Sequence, residues 1–370
     1  MKLSVARVLT KDGWLSNQVV EVSQGVVSSI SPISDSDSTA KGTLIPGLID
    51  TQVNGGGGVL LNQTPTLEGI ECMAKAHLRF GTTGMLPTLI TDCADVMARA
   101  ADAVAQAMSE NLPTILGIHY EGPFLSTAKK GVHDASFIRV PTDKELASLM
   151  RKDIGKVMVT LAPESVPTSF IKELVAEDVL VCLGHSNANA EQVFDAIEAG
   201  ATGFTHLYNA MSPLTSREPG MVGAALLADS AYCGLIVDHH HVHPKSAEFA
   251  IKAKGKHKTM LVTDAMAHVG TDLDKIPFFN TEIRRTNDKL TTPQGTLAGS
   301  CLDMIGAVRN THQDLHVALE DAVVMASTTP ATFLGMSHTH GAIGVGMQAN
   351  FLLIDDNLNI EKTWLKGELV

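Results

Sequence analysis

Short and nearly continuous apolar runs recur through the middle of the chain. They are TLIPGLIDTQVN from Thr43, GTTGMLPTL from Gly81, TILGIHYEGPF from Thr114 and KVMVTLAPE from Lys156. The series continues with VLVCLGHS from Val179, GFTHLYNAM from Gly203, CGLIVDHHHV from Cys233 and TMLVTDAM from Thr259. Between them lie stretches such as LEGIECMAKAHLRF, DVMARAADAVAQAMSE and AEQVFDAIEA, whose apolar residues fall at helical spacing. Eight strands alternating with helices predict a (β/α)8 barrel of the TIM type, and runs apolar on both faces suit parallel strands covered from both sides. The ends have a different rhythm. Residues 1–44 alternate apolar and polar positions (Val5, Val8 and Leu9, then Val19 to Val22, then Val26 to Ile30), with a turn at Lys11-Asp12-Gly13. A polar SDSDS tract follows at Ser34 to Ser38, and the tail from residue 341 returns to short-strand character. Two strand-rich ends predict one small β-sandwich built from both termini (1–44 and 341–370) beside a barrel of 45–340.

Composition narrows the function. Lys plus Arg total 28 against 40 Asp plus Glu, a formal charge of −12, which disfavours a general nucleic-acid binder. No apolar stretch approaches 18 residues, so no spanning helix is expected. Cys72, Cys93, Cys182, Cys233 and Cys301 are dispersed without CxxC spacing, which fits reduced thiols and a cytoplasmic location. Histidines number 15 against 3 tyrosines and 2 tryptophans, and histidine is the side chain suited to metals and proton transfer near neutrality.

Active sites of such barrels lie at the C-terminal ends of the strands. Asp50, Gln52 and Asn54 end the first predicted strand, and His119 and Glu121 the third. His185 ends the fifth, His206 and Asn209 the sixth, Asp238 to His241 the seventh and Asp264 the eighth. Glu121, His185 and His206 make a plausible two-histidine, one-carboxylate metal site with open positions for water and substrate. Asp264 is placed to take a proton from that water and return it to a leaving amine, which points to hydrolysis of an amide or related C–N bond.

Eight ordered motifs, PGLIDTQVNG, HYEGPF, KKGVHDASFI, LGHSNA, THLYNAM, VDHHHVHP, LVTDAM and GTLAGS, together resemble the amidohydrolase superfamily. Within it they are similar to the N-acetylglucosamine-6-phosphate deacetylases over nearly the whole chain. The resemblance implies release of acetate from N-acetyl-D-glucosamine 6-phosphate. It places metal ligands on Glu121, His185 and His206, the catalytic carboxylate on Asp264, and a carbonyl-orienting histidine on His133, beside Val132. Substrate positions implied in the same way are Asn209, Ala210, Leu297, Ala298 and Gly299, with Arg217 and His241 for the phosphate, in part from a neighbouring subunit. A homodimer or dimer-based oligomer is the corresponding expectation.

Many amidohydrolases carry HxH at the end of strand 1 for a second metal; this chain has Gln52 and Asn54 there. Amides are poor ligands for a borderline cation, and KVMVTLAPE has no interior lysine to be carbamylated, so one divalent ion per subunit is expected, with zinc as the metal. The rival substrates are N-acetyl-D-galactosamine 6-phosphate, its C4 epimer, and cyclic amides as in dihydroorotase-like relatives. A catalytically silent scaffold is disfavoured because all four strand-end ligand and acid/base residues are present. The Gly55–Gly58 run lacks the context of a phosphate cradle and is expected to be a mobile βα loop. His268 is expected at the surface, and His119 either packs in the core or supports the metal ligands from behind.

Overall fold

The computed structural model describes residues 1–34 and 41–370; all of the SDSDS tract except Ser34 lies outside them. Eight parallel strands form the barrel: β1 (Leu48–Val53), β2 (Thr82–Ile90), β3 (Gly117–Glu121), β4 (Lys156–Leu161), β5 (Leu180–Leu183), β6 (Gly203–Phe204), β7 (Tyr232–Leu235) and β8 (Thr259–Leu261). Each pairs with its sequence neighbour. All nine residues of β2 and all six of β1 are buried, as expected of strands enclosed by helices outside and side chains within. The ring closes just beyond β8. There Asp264 N–H donates to the Gln52 carbonyl (3.0 Å), Asn54 N–H donates to the Ala265 carbonyl (2.9 Å), and Val53 bridges Ala265 in parallel. Closure therefore brings Gln52 and Asn54 beside Asp264.

A polar layer crosses the barrel interior. His119 Nδ1 lies 3.1 Å from Thr88 Oγ1 and its Nε2 2.8 Å from Thr160 Oγ1, which in turn meets Thr205 Oγ1 at 2.6 Å. His119 is fully buried, and its bonds run to these threonines rather than to the expected metal ligands. Burial pushes its pKa down to about 4, so the ring is neutral.

The terminal strands form a seven-stranded mixed sheet in the order Glu368–Leu369, Ile360–Leu365, Phe351–Ile354, Thr43–Pro46, Lys2–Thr10, Gly13–Ser23, Val26–Pro32. The two ends of the chain meet where Thr43–Pro46 pairs antiparallel with Phe351–Ile354. The sheet curls so that the turn at Gly25 meets the turn at Gly367. Ala349 N–H donates to the Gly25 carbonyl, and Gly367 N–H to the Ala349 carbonyl, each at 2.9 Å. Val5, Val20, Val27, Phe351 and Trp364 pack in this core. The apolar run from Thr43 is thus two strands, one for each body, hinged at Gly47. A Cβ there would sit 2.2 Å from Thr83 Oγ1, so glycine lets the chain pass close to β2.

Three features differ from expectation. The Gly55–Gly58 run is not a mobile loop: Gly55–Gly56 pairs with Val59–Leu60, Gly57 N–H donates to the Val269 carbonyl and Gly58 N–H to that of Ala267, both at 2.8 Å. A Cβ at Gly55 would lie 2.3 Å from the Val59 carbonyl oxygen, so the glycine marks close backbone packing rather than freedom. His268 is buried instead of exposed, because the chain beyond Asp264 tucks under this hairpin. Finally, Lys275–Phe278, Thr281–Thr286 and Lys289–Thr291 form an antiparallel sheet inserted after β8. Its short strands, several of whose residues are exposed, carry too little periodicity to be visible in sequence, yet Phe278, Ile283 and Leu290 pack on Ile90, Met266 and Ala298.

The glycine hairpin is anchored by His77, whose Nε2–H donates to the Gly55 carbonyl at 2.8 Å. Burial pushes the His77 pKa down to about 4. As pH falls below 6.5 the unfolded chain takes up this proton while the folded chain does not until about 4, so stability falls across that window. His77→Gln, which keeps a donor, is expected to reduce the proton uptake on unfolding by about one between these limits. Urea unfolding of metal-free protein at a series of pH values measures it, and an unchanged slope would contradict the assignment.

Candidate metal centre and substrate cavity

Glu121 ends β3, while His185, His206 and Asp264 stand two or three residues beyond β5, β6 and β8. All three of the latter adopt left-handed backbone conformations (φ +47°, +34° and +52°), uncommon for residues with a Cβ. Each turn ends its strand and aims the side chain across the barrel mouth, the kind of local strain that accumulates at functional sites. Glu121 Oε1 lies 3.1 Å from His185 Nε2 and 2.9 Å from His206 Nε2, and the two Nε2 atoms are 3.0 Å apart. Among the described residues this is the only group of three His, Cys, Asp or Glu side chains whose ligand atoms converge, and all three are buried.

The donor set calls for a cation. His185 Nδ1 is 2.9 Å from the Lys129 carbonyl oxygen, which can only accept, so Nδ1 carries the proton. That bond fixes the ring so that Nε2 faces a carboxylate oxygen and a second imidazole nitrogen. Burial alone would raise the Glu121 pKa, yet its bonds to His185 and His206 hold it well below the carboxylate range. An ionised oxygen and two imidazole nitrogens, buried and about 3 Å apart, fit a divalent ion of zinc's preferences.

Asp264 stands at the same mouth. Its Oδ1 accepts from Asn54 Nδ2 (2.6 Å) and Gln52 Nε2 (3.1 Å). Burial and then the charge of Glu121 push its pKa up. His133 Nδ1 lies 2.8 Å from Thr91 Oγ1, whose hydroxyl donates to the Glu121 carbonyl at 2.9 Å. The His133 ring is 4.4 Å from that of His185, and burial holds it neutral, well below the ordinary histidine range.

A cavity of about 370 Å³ opens over these groups. Of the residues singled out from the sequence, it is lined by Asn54, Glu121, Val132, His133, His185, His206, Asn209, Ala210, His241, Asp264, Leu297 and Gly299. His241 Nδ1 is held by Asp238 Oδ2 at 2.6 Å. Three others stand apart. Gln52 is buried behind Asp264, Ala298 is buried in the cluster under the inserted sheet, and Arg217 is exposed and does not line the cavity. Sequence reasoning missed Lys129, Met266 and Thr296 on the cavity wall and Thr91 behind His133. Lys129 was within reach, since it stands in the KKGVH motif; Thr91 was not, because nothing local marks a threonine that reaches His133 across 42 positions.

This metal-ready mouth on a (β/α)8 barrel defines a hydrolase-type site, and comparison with known proteins gives it a family. The Amidohydrolase family model matches residues 43–370, and the chain belongs to that family. It is 48% identical over 99% of its length to an N-acetylgalactosamine-6-phosphate deacetylase of Shewanella sp. (strain ANA-3), covering 94% of that protein. It is 34% identical, over 98% of its length and 93% of the relative, to an N-acetylglucosamine-6-phosphate deacetylase of Vibrio furnissii. The crystal structure of N-acetylglucosamine-6-phosphate deacetylase from Pasteurella multocida superposes with a TM-score of 0.95 at 34% identity, with complete coverage of both chains.

Elemental analysis should find the bound divalent ion lost from Glu121→Gln and His206→Ala but kept in Asp264→Asn. Loss of the ion in all three, or in none, would contradict the ligand set.

Proposed function

We propose that the chain removes acetate from an N-acetylhexosamine 6-phosphate and that N-acetyl-D-galactosamine 6-phosphate is the preferred epimer. The observation that carries the reaction class is the placement of Asp264, a buried carboxylate beside a two-histidine, one-carboxylate centre at the mouth of a cavity of sugar-phosphate size. The epimer preference rests on the relative of Shewanella at 48% identity, against 34% for the glucosamine-6-phosphate deacetylase of Vibrio furnissii. It replaces the N-acetyl-D-glucosamine 6-phosphate expected from the motifs alone, which do not report on the C4 hydroxyl.

Glu121, His185 and His206 would hold one divalent ion per subunit, with zinc as the expected metal. Such an ion acidifies water and polarises a carbonyl. Asp264 Oδ2 takes the proton from the attacking water, and its raised pKa suits it to return that proton to the departing amine nitrogen. His133 borders the acyl end and orients the acetamide. Asn209, Ala210, Leu297 and Gly299 border the sugar, and His241, steadied by Asp238, faces the phosphate. Gln52 and Asn54 leave no second set of good ligands, in keeping with a single ion.

Arg217 serves as a phosphate anchor from a second copy of the chain in a homodimer. Its exposure outside the cavity of its own chain supports this, as do the exposed apolar side chains of Leu214 and Phe249, which border one surface cleft. No helix among the described residues is long and apolar enough to cross a membrane, and the dispersed free thiols suit a reducing cytoplasm.

Asp264→Asn should lower kcat by about 10²- to 10⁴-fold while the ion stays bound; near-full turnover would refute its role. Values of kcat/KM on the two epimers should favour the galactosamine compound, and the opposite ratio would return the assignment to the glucosamine epimer. Arg217→Ala should raise KM for the phosphorylated sugar in a dimer seen by light scattering, and an active monomer would exclude the shared site.

A further inference from the structure

Gln52 and Asn54 are amides on neighbouring inward positions of the first strand, where a hydrolase with two metals would place two histidines. Gln52 Nε2 lies between two carboxylate oxygens, 3.3 Å from Glu121 Oε1 and 3.1 Å from Asp264 Oδ1. Only a donor is stable there, so the amide nitrogen, not the amide oxygen, occupies that point. Asn54 Nδ2 donates to the same Asp264 oxygen at 2.6 Å. All four side chains are buried, with Gln52 and Asn54 each 1% exposed, so the bonds form with little competition from water. Asp264 Oδ1 is thereby saturated, while Oδ2 makes no hydrogen bond to the described residues and belongs to a residue that lines the cavity.

The backbone reinforces this arrangement. Thr263 Oγ1 donates to the buried Asp50 Oδ2 at 2.5 Å, Asp264 N–H donates to the Gln52 carbonyl, and Asn54 N–H donates to the Ala265 carbonyl, so strand 1 grips the segment on both sides of the carboxylate.

We propose that Gln52 and Asn54 are positioning residues that pin Oδ1 of Asp264, bridge it to Glu121 in place of a second cation, and leave Oδ2 as the one oxygen free to exchange a proton. Two neutral donors do the geometric work of a second ion, without adding the charge that would make Asp264 a poorer base. Neither amide touches substrate under this assignment; both act through Asp264. The inference rests on the deacetylase reading for the identity of the reaction, but the hydrogen-bond pattern it invokes is independent of the substrate.

The test uses Gln52→Glu and Asn54→Asp, which keep size and shape and turn a donor into an acceptor, with Gln52→Met as a packing control. Unmodified protein is assayed first for acetate release from both epimers. Failure to release acetate from either overturns the deacetylase reading and leaves the pinning role to be judged by ion content and structure. For the acceptor variants the expected result is a fall in kcat of about 10²-fold or more with KM changed less than about threefold. Ion content should remain near one per chain and the urea midpoint near that of the unmodified protein. Gln52→Met should retain more turnover than Gln52→Glu. A crystal structure of metal-loaded Asn54→Asp should show the Asp264 carboxylate rotated away from position 54. Three results would overturn the proposal: more than half of kcat retained in both acceptor variants, loss of the ion in either, or an unmoved Asp264 carboxylate in Asn54→Asp.

Discussion

The organising constraint of this molecule is the meeting of three buried electron-pair donors at the barrel mouth. Glu121 Oε1, His185 Nε2 and His206 Nε2 lie within 3.1 Å of one another, and the bond between His185 Nδ1 and the Lys129 carbonyl keeps the His185 Nε2 turned toward the other two. A cation resolves such an arrangement, and much of the surrounding structure holds it. The left-handed turns at His185 and His206 are maintained by a packed barrel, and Ser126 N–H donates to the His185 carbonyl at 2.9 Å. Gly122 leaves room for the Thr91 hydroxyl, which a Cβ would approach to 2.1 Å.

Closure of the barrel does the second part of the work. The last strand returns to the first at Gln52 to Asn54 and Asp264 to Ala265, so the Asp264 carboxylate, the proposed acid and base, is set by the same contacts that complete the fold. The inserted sheet after β8 contributes differently, by packing Phe278 and Leu290 behind Ile90 and Met266, which form an apolar wall of the cavity beside Glu121 and Asp264.

Much of this was legible in the sequence. The eight apolar runs announced the barrel, and ligand-type residues at their ends announced the mouth, because a buried parallel strand has to be apolar and its C-terminal end is where polar side chains can converge. The terminal sheet was legible from alternation at Val5, Val8, Val19 and Val27. What escaped was set by contacts distant in sequence. Thr91 bonds His133 across 42 positions, and Gln52 reaches Asp264 across 212. The run from Thr43 hides a change of body at Gly47 that only the approach of Thr83 explains. The burial of His268 and the order of Gly55–Gly58 depend on each other, and neither has a periodic signature. The choice between C4 epimers has none either, since it turns on the position of one hydroxyl on which the cavity-lining motifs do not report.

The proposed chemistry depends most on the ion that Glu121, His185 and His206 are arranged to hold. The most direct measurement is acetate release from an N-acetylhexosamine 6-phosphate by protein stripped with a chelator and then titrated with zinc. The expected result is negligible turnover when stripped and recovery that saturates at one equivalent per chain. Full activity after verified stripping, or no acetate from either epimer with one ion bound, would contradict it.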